Sequence, residues 1–317
     1  MKNRHISPLL AAALMLGGCI GCPAAASGQG PDFAEVYNPV IPQKVTICGQ
    51  PVNLDVLDYA ERYDREITSL VYIHGNTLLM IKRANRYFPQ IAPILKANGV
   101  HSDLLYLACV ESTLNPRAVS GAKAAGIWQF MPSTAKEYGL EVNDEVDERY
   151  NIDKATAAAC RYFKKALAKY GNNWNAVFQA YNGGMSRIST QLDAQLTGEP
   201  LDLYLADETQ RYPFRIMATK AVMENPQAYG FNLTANQLYT PREVRIVEVN
   251  GPVDSWAQWA KDRGISYRDL REENPWIRAP KLTNKSGKTY NVRVPKKESL
   301  RRSTSKQAVY NQKWISR

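Results

Sequence analysis

Between residues 54 and 88, apolar side chains recur at helical spacing: Val56, Tyr59, Tyr63, Ile67, Leu70 and Ile73, then Leu78, Ile81, Ala84 and Tyr87. The spacing predicts helix through this stretch. Another helix starts at His101-Ser102-Asp103, with Ser102 or Asp103 as its cap, and ends at Asn115-Pro116. Its residues Leu104, Leu105, Leu107, Ala108 and Val110 are apolar on nearly every side, which predicts burial. Further helices are expected over 132–138, stopped by Gly139, over 153–170, stopped by Gly171, and over 174–181, stopped by Asn182-Gly183-Gly184. One more is expected over 207–223. No alternating run precedes residue 240, so residues 53–240 are expected to form a mainly α domain.

Pro241 marks a change of pattern. "VRIVEV" and "YNVRVP" alternate as strands do, and "DSWAQWAKDRG" and "SYRDLREEN" between them read as two short helices. Residues 243–296 are therefore a small β-α-α-β domain, followed by a Lys/Arg/Ser-rich tail over 297–317.

The chain has 317 residues, 44% of them hydrophobic and 22% charged, a globular composition. Its net charge of +10 is unevenly placed. Seven basic side chains stand against one acid between Lys296 and Arg317, while the body from 5 to 242 is close to neutral. A nucleic-acid surface on the body is thereby disfavoured. The tail reads as a solvated segment whose charge would suit an anionic surface.

The opening "MKNRHISPLLAAALMLGGC" has basic residues, an apolar run and then small residues, the order of an export signal over 1–18. Its apolar run is shorter than the ~20 residues a membrane-spanning helix needs. Leu16-Gly17-Gly18-Cys19 resembles the lipobox of bacterial lipoproteins, which implies lipidation of Cys19, with Cys22 a second candidate. Ile20 stands where an aspartate would mark inner-membrane retention, so the resemblance implies the periplasmic face of the outer membrane. Residues 19–52 are then expected to be a tether, rich in small residues, proline and glycine. Export would permit disulfides, but no spacing pairs Cys22, Cys48, Cys109 and Cys160. Cys109 and Cys160 lie in apolar helical patterns that suit buried thiols.

Most chemistries find no support. The three histidines, His5, His74 and His101, have no zinc-ligand spacing, and "NDEVDERYNID" lacks the glycine and spacing of a calcium loop. There is no phosphate-binding glycine loop, no dinucleotide fingerprint and no GxSxG turn. No cofactor or metal is expected. What stands out is Glu111, an acid at the end of an apolar run in a helix's last turn. Desolvation and the helix's negative end both disfavour its ionised form and raise its pKa above the ~4.3 of a free glutamate. A carboxyl kept protonated near neutrality can act as a general acid on a glycosidic bond. An ordinary helix-end glutamate facing water is the alternative at this point.

Around it, "VESTLNPRAVSGAKAAGIWQFMPSTAKEYGL", "DERYNIDKATAAACRYFKKALAKYGNNWNAVFQAYNGG" and "LADETQRYPFRIMATKAV" follow in order. Together they resemble the lytic transglycosylase domain of the goose-type lysozyme superfamily. The third departs from the family pattern at Gln210 and Pro213. The resemblance implies a lysozyme-like helical fold. It also implies cleavage of the β-1,4 bond between N-acetylmuramic acid and N-acetylglucosamine in peptidoglycan glycan strands. By this analogy Glu111 alone acts first as acid and then as base, and the C6 hydroxyl of the sugar closes a 1,6-anhydro ring. Ser120, Gln129, Met131, Tyr181 and Asn182 occupy positions that the family uses for substrate. Tyr181 is expected beside Glu111, Ser120 and Gln129 on the reacting sugars, and Met131 at the cleft floor.

The C-terminal unit resembles a LysM domain, a module that binds glycans containing N-acetylglucosamine, with an extended turn after Gly251 and a long segment before the second strand. Trp256, Trp259 and Trp276 fit either its core or a sugar-binding face. Two alternatives stay open. One is a non-catalytic peptidoglycan binder. The other is a hydrolysing muramidase using a second carboxylate, for which Glu208 and Glu137 are the candidates.

Overall fold

The computed structural model describes residues 37–316. Lipidation at Cys19 and the export signal therefore lie outside the described residues. The described chain is mainly helical, as the apolar spacing predicts.

An antiparallel hairpin comes first. β1 (Lys44–Ile47) pairs with β2 (Gln50–Asn53), with Lys44 opposite Asn53 and Ile47 opposite Gln50. Its two-residue turn, Cys48-Gly49, has both φ angles positive, at 48° and 78°, which matches the twist of paired strands. This corrects the reading of 19–52 as a tether throughout. Ile47 and Val52 are buried in the main core, and Gln50 joins the hairpin to the backbone of Asn172 and Trp174. Four-residue strands with one core face are too short for alternation to stand out.

The helices follow: α1 (Leu57–Tyr72), α2 (His74–Ala97), α3 (Leu104–Ser112), α4 (Pro132–Glu137), α5 (Ile152–Lys169), α6 (Trp174–Gly183), α7 (Met185–Ala194) and α8 (Asp207–Glu224). α1 buries Tyr59, Tyr63 and Ile67, one helical turn apart, in the common core it shares with α8. α5 presents Ala155, Ala158, Ala159 and Ala166, small enough to bring α2 and α6 close. α3 is surrounded: Leu104, Leu107 and Ala108 have no exposed surface. Each such leucine stabilises the fold by roughly 1.5–3 kcal/mol through burial. α3 ends earlier than the Asn115-Pro116 signal suggests, because Thr113 and Leu114 both turn into the left-handed region.

The C-terminal unit forms in the expected order. β3 (Val244–Val249) pairs antiparallel with β4 (Tyr290–Pro295), enclosing α9 (Trp256–Asp262) and α10 (Tyr267–Glu273). Ser255 caps α9, and Ser266 with Asp269 forms a capping box on α10. Trp256 and Trp276 are core residues, whereas Trp259 is half-buried under the Arg263 guanidinium, 3.6 Å from its ring centroid.

The basic tail is not solvated throughout. Trp314 is 1% exposed, donates its indole N–H to the Met223 carbonyl at 2.7 Å and meets Phe88 edge-on. Asn85 holds the tail backbone at Ala308 and Tyr310. Charge dominates the segment's composition and hides the aromatic anchor within it. Among the described residues, no helix is long and apolar enough to cross a membrane.

Candidate active site

α3 carries Glu111 to its last turn. The carboxyl is only partly accessible, and Tyr212 of α8, itself buried, donates its hydroxyl to Oε1. Burial pushes the Glu111 pKa up from 4.5 to about 7. The Tyr212 hydrogen bond opposes that rise, the nearby Glu208 carboxylate adds to it, and the Arg215 guanidinium reduces it. A cavity of about 110 Å³ is lined by Val110 of α3, Thr113 just after it, Arg215 and Thr219 of α8, and Asn76 and Thr77 of α2; neither Glu111 nor Tyr212 lines it.

Tyr181 also lies within electrostatic reach of Glu111, and burial followed by that charge holds its phenol un-ionised. Its hydroxyl, however, donates to the Trp128 carbonyl at 2.7 Å, and its ring stacks on Phe163. The direct hydrogen bond to Glu111 comes from Tyr212, whose segment matches the expected pattern least well.

Ser120, Gln129 and Met131 sit on or just after the loop between α3 and α4. Ser112 ties this loop to α3, its hydroxyl donating to the carbonyls of Ala108 and Ile127. Ser120 is exposed and accepts the Ala124 N–H in a tight turn. Gln129, at φ 48°, donates its amide to the carbonyls of Gly126 and Ala118, so its NH₂ group closes the loop. Met131 is 41% exposed at the loop's exit, just before α4. Gly126 is required here: at φ 79°, a Cβ would lie 1.9 Å from the Arg149 carbonyl oxygen. Asn182, at the end of α6, accepts a hydrogen bond from Thr209 of α8 at 2.7 Å. The adjacent Gly183 lets those helices meet, since a Cβ there would approach Thr209 Cγ2 to 3.1 Å.

Sequence reasoning missed Arg149. It is buried, paired with Asp147, and donates to the carbonyls of Lys123 and Phe130 on either side of the Gly126 turn. Its surroundings, "NDEVDERYNID", read as a solvated acidic loop because charge density says nothing about which charges face inward. Of the two second-carboxylate candidates, exposed Glu137 pairs with Lys165, and Glu208 acts on Glu111 through its charge.

One group of potential metal ligands lies together among the described residues: Cys48, His101 and Asp103, within 4.8 Å of one another. The Lys220 ammonium is 2.8 Å from Asp103 and holds the place where a cation would bind, and burial keeps the Cys48 thiol protonated. Cys48, Cys109 and Cys160 are free buried thiols.

Residues 90–200 match the transglycosylase SLT domain, and residues 245–298 match the C-terminal LysM-like domain of soluble lytic transglycosylases. Membrane-bound lytic murein transglycosylase D of Escherichia coli K12 is 31% identical over 255 residues, 79% of this chain and 54% of that protein. The chain thus spans about half the length of this relative. Membrane-bound lytic murein transglycosylase C of Serratia proteamaculans is 31% identical over 145 residues, 40% of each chain. The 70 kDa soluble lytic transglycosylase of Escherichia coli superposes with a TM-score of 0.40 at 18% identity, covering 54% of this chain and 33% of that one, a likeness too low to carry an inference. The chain therefore joins a transglycosylase SLT domain to a LysM-like C-terminal domain and is homologous to membrane-bound lytic murein transglycosylase D.

Proposed function

We propose that this protein is a peptidoglycan lytic transglycosylase that cleaves the N-acetylmuramic acid–β-1,4–N-acetylglucosamine bond without water. The observation that carries this reading is the Glu111–Tyr212 pair: a carboxyl whose pKa burial raises to about 7, with one oxygen held by a phenol. Tyr212 occupies Oε1, so the proton of the neutral acid belongs on Oε2, the oxygen free to meet the glycosidic oxygen. Glu111 gives that proton to the leaving sugar. The carboxylate left behind still accepts from Tyr212, and takes the C6 hydroxyl proton as that oxygen attacks the anomeric carbon. The attacking group is tethered within the substrate, so no second base is needed to activate water. A pKa near the working pH serves both the donating and the accepting step.

Gln129 and Ser120 on the α3–α4 loop, Met131 at its exit, and Tyr181 with Asn182 at the end of α6 are the residues we assign to substrate. The LysM-like unit is assigned to glycan contact, with Trp259 its most accessible tryptophan. Export and lipidation at Cys19 would place the enzyme at the periplasmic face of the outer membrane, against its substrate.

The test is digestion of purified peptidoglycan, with products identified by mass. Anhydro-muropeptides are expected. Reducing-end products would instead favour hydrolysis assisted by Glu208, whose charge reaches Glu111. Glycan pull-down without products would leave only a binding role.

A further inference from the structure

The two domains are not strung together by a linker. Glu145 accepts from the Arg278 N–H at 2.8 Å, Val146 and Ile277 form an antiparallel bridge, and the Asp147 N–H donates to the Trp276 carbonyl at 2.9 Å. Residues 145–147 of the helical domain and 276–278 of the LysM-like unit thus form a short ladder across the boundary. Val146 and Ile277 are 1% and 0% exposed, and the core of the LysM-like unit continues through them to Ala125 and Tyr150. Outside the ladder, the Arg278 guanidinium covers the Tyr150 ring at 4.5 Å.

The ladder leads directly to the substrate loop. Asp147, fixed at its backbone by Trp276, binds the Arg149 guanidinium through Nε and Nη2 at 2.9 and 2.7 Å. The remaining arm, Nη1, donates to the Lys123 carbonyl at 2.7 Å and the Phe130 carbonyl at 3.1 Å. Those carbonyls bracket Gln129. The Arg149 backbone also lies against Gly126. One planar fork therefore locks both ends of the segment that presents Gln129, and its orientation is set from the second domain. A lysine at this position carries the charge but lacks the rigid fork that reaches the carboxylate and both carbonyls together.

We infer that Arg149, held by Asp147 and the 276–278 strand, is a positioning residue through which the LysM-like unit sets the geometry of the Gln129 loop. The unit is thereby a part of the catalytic machinery, whatever glycan it also contacts. The inference rests on the transglycosylase reading for its effect on turnover, and on the structure alone for the coupling.

The protein with both domains supplies the test, in two measurements on Arg149→Lys and Arg278→Ala. The first is amide hydrogen exchange, which needs no substrate. Exchange of the Ala125 and Gly126 amides should speed up at least tenfold in Arg149→Lys and several-fold in Arg278→Ala, while α3 and α8 keep their protection. Unchanged exchange in the loop, or a uniform rise along the chain, would overturn the coupling. The second is turnover of soluble glycan strands well below the unfolding temperature. Arg149→Lys should raise KM or lower kcat by about tenfold, with the pH limb set by Glu111 staying near 7. Wild-type kcat and KM in both variants would overturn the catalytic part of the inference. A wild-type protein that cleaves nothing would instead remove the transglycosylase reading and leave the exchange result to decide the coupling.

Discussion

Tyr212, not Tyr181, donates its hydroxyl to Glu111. The two phenols lie on α8 and α6 and both feel the Glu111 charge, yet only Tyr212 hydrogen-bonds to it. Tyr181 spends its proton on the Trp128 carbonyl and thereby fixes the loop. The division gives them separable roles, one on the acid and one on the backbone that follows it.

Tyr212→Phe removes a donor that stabilises the Glu111 carboxylate. The Glu111 pKa should rise further above 7, and the alkaline limb of the pH–rate profile should move up with it. Turnover should fall roughly 10- to 100-fold, because a carboxyl of higher pKa is a poorer proton donor to the leaving oxygen and has lost its fixed orientation. A pH–rate profile from 5 to 9 reads both effects. A limb that moves down would contradict the assignment.

Glu111→Gln should abolish anhydro-product release while glycan binding persists. It should also change stability with a definite sign. The folded pKa is about 7 against an ordinary 4.5, so the folded state keeps a proton that the unfolded state loses as pH rises between those values. The wild type therefore loses stability over that window, and the amide does not. Chemical unfolding should show the variant more stable by on the order of 1–3 kcal/mol at pH 8 and unchanged near pH 4.

Gly126→Ala should be among the most damaging small changes in the chain. The added methyl would meet the Arg149 carbonyl oxygen at 1.9 Å in a backbone already at φ 79°. A loss on the order of 3–5 kcal/mol is expected from the clash and the left-handed strain together. Thermal unfolding measures it, and a variant with the wild-type Tm would show that the loop can move away from Arg149.

Trp314→Ala should destabilise the helical domain by roughly 3–5 kcal/mol, the usual cost of emptying a buried aromatic site. The side chain fills space between Phe88 and Met223, far along the chain from either. Calorimetry of the variant would show a lowered Tm, whereas a free tail would leave it unchanged.

Thiol reagents should leave Cys48, Cys109 and Cys160 unmodified in the folded protein and modify all three in denaturant. All are buried, and burial raises each thiol's pKa, to about 11 for Cys160. Rapid modification of any of them without denaturant would contradict its place in the core.

The spacing over 54–88 showed neither the break at Ile73 nor the run of α2 on to Ala97, whereas α5 was legible because it has a wide apolar stripe and a clear stop in Gly171. The β-α-α-β order after Pro241 was legible for the same reason, with serine caps marking both helices. Glu111 could be singled out by its place at the end of an apolar helix. What could not be read was long-range: the phenol that would reach it, 101 residues on, or the turn of Arg149 into the core. Both depend on which of several polar side chains points inward, and local pattern does not encode that choice. The hairpin and Trp314 escaped because their apolar content is carried by one or two residues, too few to form a period. α7 was not anticipated either: it begins directly after the Asn182-Gly183-Gly184 stop of α6, and Ile188 is its one buried residue.

The ladder between 145–147 and 276–278 bears on how such chains can be inherited and rebuilt. A boundary drawn from the matched segments would place 145–147 with one module and its pairing partner with the other. A recombinant that exchanges the C-terminal module along that line would expose Val146 and leave the Asp147 amide without its acceptor. The three-residue strand must therefore travel with the module it pairs to, so the unit of exchange is discontinuous in the gene.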